Sequence, residues 1–206
     1  PPESMVYGMF TGSNLNSQNP AFSGVLFFYS GFSYEADQNS FYFSLKTIIE
    51  YEIIENGKIK TVKDIGHIPE KIKDDINSNI GVGHTRWATH GGVTITNAHP
   101  HFSSDKRFVV AQNGIVENYL TLKTDLEKKW YVFKTQVDTE VIVRLVEDFL
   151  TKKTNLKESL ISTYKKLDGR NTVILLDSIT KKIYAIRNGS PLILGISNGN
   201  VYLASD

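Results

Sequence analysis

Residues 171–206 read NTVILLDSITKKIYAIRNGSPLILGISNGNVYLASD. Four short runs, NTVILLD, KKIYAIRNG, PLILGISNG and NVYLASD, are rich in Val, Ile, Leu and Tyr and are broken by turn formers, including Asn-Gly at 188–189 and 198–199. Runs of this length and composition read as strands. Their close succession favours antiparallel pairing, since a parallel pair needs a long crossover between its strands.

Upstream of this tail the periodicity becomes helical. Leu122 and Leu126 follow Asn118, a candidate cap, and Val141, Ile142, Leu145, Val146 and Phe149 make a stronger helical face. A third helix after Asn155 carries Leu156, Leu160, Ile161 and Tyr164. Further upstream, RFVVAQNG (Arg107–Gly114) reads as a buried strand ending in a turn, and Glu70 to Ile76 as a short helix. SFYFSLKTIIEYEIIENGKIKTV reads as a meander with a hairpin turn at Asn56-Gly57, where both residues tolerate positive φ. Phe22, Val25, Leu26, Tyr29 and Phe32 fall at helical spacing after Pro20 and predict an amphipathic helix, and Met5 to Phe10 predicts a strand. Strands, then helices, then strands predict an α+β fold with antiparallel sheets and helices layered outside, not a doubly wound parallel sheet.

Composition bounds the function. The chain has 206 residues, 40% hydrophobic and 11% aromatic, enough for a sizeable core. Lys plus Arg is 23 against 22 Asp plus Glu, a net charge of +1, so neither nucleic acid nor an anionic membrane is an expected partner. There are no cysteines, which removes disulfides and thiolate metal cages. With no membrane-length apolar run and no signal-peptide pattern at PPESMVYGMF, the expected location is cytoplasmic.

Residues 84–101, HTRWATHGGVTITNAHPH, hold four of the chain's five histidines. A zinc site would need aligned ligands, but HExxH is absent, and His99 and His101 flank a proline without a helical face. The expectation is therefore no metal, with His84, His99 and His101 bonding backbone groups in a polar loop. Arg86, close to Gly83, Gly91 and Gly92, suits bidentate capture of a carboxylate, and a structural ion pair explains it equally well.

GVGHTRWATHGG, NAHPH, AQNGIVEN, QVDTEVI and RNGSPLILG occur in that order and together resemble the glutaminase domain of the glucosamine-6-phosphate synthase family, class II glutamine amidotransferases also called glutamine–fructose-6-phosphate aminotransferases. The resemblance implies a four-layer αββα sandwich, two antiparallel sheets between helices, of the N-terminal-nucleophile hydrolase type. It implies glutamine or glutamate as ligand and no cofactor. In the family a first-residue cysteine attacks the glutamine amide and its own α-amine, titrating at about 7.7–8.0, serves as base. By resemblance Arg86 holds the substrate α-carboxylate, Trp87, Thr89 and His90 shape that side, and Asp138 faces the α-ammonium. Asn113 and the Gly114 N–H form the oxyanion hole, the kind of preorganised donor pair that dominates such catalysis. The bland readings are an Asp138 that caps a helix starting near Thr139 and an Asn-Gly turn that closes a strand.

The nucleophile side departs from the family. Its Cys-Gly start aligns with SMVYG, placing Ser4 at the nucleophile position with Met5 after it and Pro1, Pro2 and Glu3 before it. The Ser4 nitrogen is then an amide and not a base. The family's YRGYDSAG reads YEADQNSF here, with Glu35 for the arginine and Phe41 for the second glycine. The expectation is a kept glutamine grip with impaired or lost glutaminase activity; the alternatives are an inactive glutamine-binding or structural domain and, outside the family, a metal-dependent hydrolase. YLASD resembles the family's hand-over to a sugar-isomerase domain. Residues 1–206 are thus expected to be one domain of a longer protein, with that isomerase domain as partner and room for a homo-oligomer.

Overall fold

The computed structural model describes residues 6–11, 25–28, 48–65, 78, 80–86, 94–152, 155–197 and 200–205. The first sheet joins β1 (Val6–Thr11), β6 (His101–Phe102), β7 (Phe108–Gly114), β8 (Asn171–Asp177) and β9 (Lys182–Asn188) in the order β1-β9-β8-β7-β6. Every pairing in it is antiparallel. The second sheet joins β2 (Val25–Phe28), β3 (Ile48–Glu55), β4 (Lys58–Ile65), β5 (Gly81–Arg86), β10 (Ile193–Ser197) and β11 (Asn200–Ala204) in the order β10-β11-β2-β5-β3-β4.

Period-two alternation explains the layering. Along β7, β8 and β9, Val109, Ala111, Ile174, Leu176, Ile183 and Ala185 pack with Ile54, Ile80, Val82 and Leu203 in the space between the sheets. Their sequence neighbours Phe108, Val110, Val173, Leu175, Tyr184 and Ile186 pack on the other face with Ile142, Val143, Val146, Leu156 and Leu160. Those last residues belong to α2 (Thr139–Leu150) and α3 (Leu156–Tyr164), while α1 (Tyr119–Glu127) leans on α2 through Leu126, Val141 and Leu145. Strands buried on both faces read as unbroken apolar runs, which is why NTVILLD contains no alternating polar residue between Val173 and Leu176. Each such side chain contributes about 1.5–3 kcal/mol by leaving water.

The tail strands, the three helices and the Asn56-Gly57 hairpin agree with the sequence; Asn56 and Gly57 have φ of 51° and 72°. The α+β sandwich of two facing sheets is confirmed, with helices covering the outer face of the first sheet. The short helix at 70–76 lies outside the described residues.

Three details differ. Val25 and Leu26 are in strand β2, not a helix. Val-Leu-Phe-Phe is too short for periodicity to separate a helix from a buried strand, and here the pairing on both sides decides. β2 runs parallel to β11 and to β5, the exception to antiparallel pairing in the second sheet. Asn118 precedes α1 without capping it: its amide donates to the Lys166 carbonyl at 2.8 Å and accepts from Asp168 N–H at 3.2 Å, tying α1 to the α3–β8 connection. Asn155, by contrast, caps α3 by accepting from Glu158 N–H at 2.9 Å.

Candidate functional site

Strand β7 emerges from the core at Asn113 and Gly114, the former half-buried and the latter exposed. Gly114 has φ of 121°, and a Cβ there would lie 2.0 Å from the Arg170 carbonyl oxygen. Only glycine lets β7 end this close to the entry of β8. Asn113 follows Val109 and Ala111 in period two and so faces the second sheet, where its Oδ1 lies 3.3 Å from His84 Nε2 on β5.

From there a buried polar chain rounds the edge of the first sheet. His84 Nε2 is 3.1 Å from His99 Nδ1, and His99 Nε2 is 2.9 Å from Thr139 Oγ1 on α2. Thr139 donates to Gln112 Oε1 at 2.6 Å, and Gln112 Nε2 donates to Asn171 Oδ1 at 2.5 Å. Among the described residues the two-residue strand β6 pairs with β7 only at Val109 and Val110. The expectation of a polar loop is therefore corrected. His84 and His101 sit on strands, all three histidines are buried, and His84 and His99 bond side chains. Among the described residues no three His, Cys, Asp or Glu side chains converge as a metal cage.

Asp138 stands just before α2, in the helical region at φ −60°, yet makes no side-chain cap bond to its own helix. The helix-cap reading falls. Its Oδ2 instead accepts from the Val116 N–H at 2.8 Å, two residues beyond Gly114. Its second oxygen takes no donor among the described residues, although the residue is 3% exposed. A buried carboxylate held this way leaves acceptor capacity for a cationic group.

The approach to Asp138 is fixed from two sides. Asn97 Oδ1, in NAHPH, accepts from Gln136 N–H at 3.1 Å. Glu140 accepts from the N–H groups of Lys134 and Thr135, from the Thr135 hydroxyl at 2.8 Å and from Arg144 at 2.8 Å. Burial pushes the Glu140 carboxyl up, but these donors together outweigh it and hold the group below its ordinary value. Arg144, itself 4% exposed, also reaches Glu147 at 2.9 Å and Ser104 at 3.0 Å.

Asn113 and Gly114 close β7, and Asp138 is tied to the same stretch of chain through the Val116 N–H, two residues beyond Gly114. Arg86 ends β5 two residues beyond His84 and pairs by its backbone with Ile48; its side chain lies outside the description, as do Ser4, Trp87, Thr89 and His90. Gln112, Thr139, Asn171 and Glu140 were not singled out by sequence. A polar Gln inside the apolar run FVVAQNG was the available signal.

Known proteins are similar to this chain in sequence and fold. The chain is 41% identical over 155 residues to the glutamine–fructose-6-phosphate aminotransferase [isomerizing] of Pyrococcus horikoshii, covering 73% of this chain and 26% of that protein. It is 42% identical over 159 residues to the Clostridium acetobutylicum protein of the same name, covering 75% and 26%. The chain therefore spans about a quarter of the length of these curated relatives. The glutamine phosphoribosylpyrophosphate amidotransferase of B. subtilis, solved with ADP and GMP, superimposes with a TM-score of 0.63 at 24% identity, over 77% of this chain and 35% of that one, a likeness of fold. No helix among the described residues is long and apolar enough to cross a membrane. Residues 84–206, which hold Asn113, Gly114, Asp138 and the polar chain behind them, match the family model described as a glutamine amidotransferase domain, and the chain belongs to that family.

Proposed function

We propose that this amidotransferase domain grips free glutamine, or its product glutamate, at the rim of Asn113, Gly114 and Asp138, and serves a sugar-isomerase partner that aminates fructose 6-phosphate. One observation carries the reading: the Asp138 carboxylate ignores its own helix and is bonded to the backbone just past Gly114. An acceptor for an α-ammonium and donors for a side-chain carbonyl then share one short segment, as a glutamine-sized ligand requires. In this reading Arg86 supplies the fork for the α-carboxylate, and Trp87, Thr89 and His90 line that side. The amidotransferase relatives named above support the substrate class, and their greater length supports an isomerase partner, with residues 1–206 as its amidotransferase domain.

Ser4 stands in the nucleophile register, a hydroxyl in place of a thiol, bonded through its nitrogen to Glu3. With the built-in base gone, glutamine binds but is hydrolysed slowly or not at all. Calorimetric titration with glutamine tests the grip. Asp138→Asn keeps an oxygen for the Val116 N–H yet removes the charge, and should weaken glutamine by about tenfold to a hundredfold. Arg86→Lys should also weaken it, because lysine lacks the planar two-donor fork. No heat at millimolar glutamine, or unaltered binding by both variants, would leave a structural domain. Glutamate release at about 1 per second or faster would refute the inert nucleophile.

A further inference from the structure

We propose that His84, His99 and Thr139 are positioning residues that decide which end of the Asn113 amide meets the ligand. The inference rests on the reading of Asn113 as a donor to the substrate's side-chain carbonyl. Its basis is the direction of the hydrogens along the buried chain, which one backbone carbonyl sets.

The Asp168 carbonyl can only accept, so Asn171, 3.3 Å away, presents its Nδ2 there and its Oδ1 to Gln112. Gln112 then donates through Nε2, which leaves Oε1 as the acceptor for the Thr139 hydroxyl at 2.6 Å. Thr139 has spent its one hydrogen, so it accepts from His99 Nε2–H at 2.9 Å. Neutral imidazole with a proton on Nε2 has a bare Nδ1, and that atom accepts from His84 Nε2–H at 3.1 Å. The same His84 Nε2–H lies 3.3 Å from Asn113, which must therefore turn its oxygen toward it.

The consequence falls on Asn113 Nδ2. It is turned away from His84, and among the described residues nothing accepts its hydrogens. Rotating the amide by a half-turn would set two donors against each other. Gln112, Thr139, Asn171, His84 and His99 are between 1% and 6% exposed, so bulk water does not freely replace a mismatched bond. A polar chain that ends in a half-buried amide with open donors does more than satisfy the core. It presets a hydrogen-bond donor at the rim.

The test compares glutamine with norvaline, which has the α-amino acid head but no side-chain carbonyl. Thr139→Val removes the hydroxyl at nearly constant shape; Thr139→Ser restores it. Thr139→Val should weaken glutamine about tenfold and leave norvaline within about twofold, and Thr139→Ser should recover glutamine binding. Equal loss for both ligands, no loss for either, or failure of serine to rescue overturns the inference. If the unmodified chain binds neither ligand, the glutamine reading fails on its own, and nitrogen NMR of the histidines then decides. His84 and His99 should both carry the proton on Nε2, and Thr139→Val should shift the Asn113 side-chain amide signals. A proton on His99 Nδ1, or Asn113 signals indifferent to Thr139→Val, overturns the positioning role.

Discussion

Gly114→Ala should be far more damaging than its one added methyl group suggests. The Cβ would sit 2.0 Å from the Arg170 carbonyl oxygen and 3.1 Å from the Asn171 Cα, whereas real Cβ contacts essentially never fall below 3.0 Å. The end of β7 must therefore move away from β8 by about 1 Å, the difference of those two limits, opening the ladder at its Gly114–Asn171 pair. Holding a non-glycine residue near φ of 121° adds about 1–3 kcal/mol, and a loosened terminal hydrogen bond about 1 kcal/mol. The sum is about 2–4 kcal/mol. Gly57→Ala is the control, because φ is 72° there but nothing lies within 4 Å of the added atom. It should cost about 1–2 kcal/mol. With a urea slope of about 2–3 kcal/mol per molar, the Gly114→Ala midpoint should fall by about 1 M and the Gly57→Ala midpoint by about half of that. Glutamine binding should be lost in the first variant and kept in the second. Equal midpoint shifts would show that the β7–β8 approach is not sterically closed, and would refute the argument that this backbone is built around glycine.

Acid should loosen the fold through two buried carboxylates. Burial pushes Asp177 up, but Arg107, Thr180 and the Ile179 N–H together hold it below its ordinary value, as the donors around Glu140 do for that group. Folded values below the unfolded ones mean that this stability is complete above about pH 5, clear of the unfolded values, and is lost as pH falls through the folded values. Urea midpoints should drop between about pH 6 and pH 3, and Glu140→Gln should shrink that drop; a midpoint unchanged at the lower pH refutes the linkage. The histidine cluster should carry no tightly held zinc, because His84 Nε2 and His99 Nδ1 face each other across a 3.1 Å hydrogen bond that a metal would have to break. Stoichiometric zinc by elemental analysis after dialysis would sink this reading of HTRWATHGGVTITNAHPH.

Local chemistry was enough to specify the tail strands, the three helices and the Asn56-Gly57 turn, since each follows from the periodicity or backbone tolerance of a few adjacent residues. Five motifs in family order single out Asn113, Gly114 and Asp138 by resemblance alone. Pairing decided what local chemistry left open. VLFF became a central strand because β5 and β11 flank it, and no window of four residues encodes those distant neighbours. Asp138 and Asn118 looked like helix caps, and both bond instead to backbone that only folding brings near: Val116, and Lys166 with Asp168. Histidines that read as polar-loop ornaments proved to be links between two sheets and a helix, His84 reaching Asn113 across 29 positions and His99 reaching Thr139 across 40. Hydrogen-bond direction is a property of the assembled chain of donors and acceptors. It passes from the Asp168 carbonyl to Asn113 through side chains on five separate segments, and it exists only once all of them are buried together.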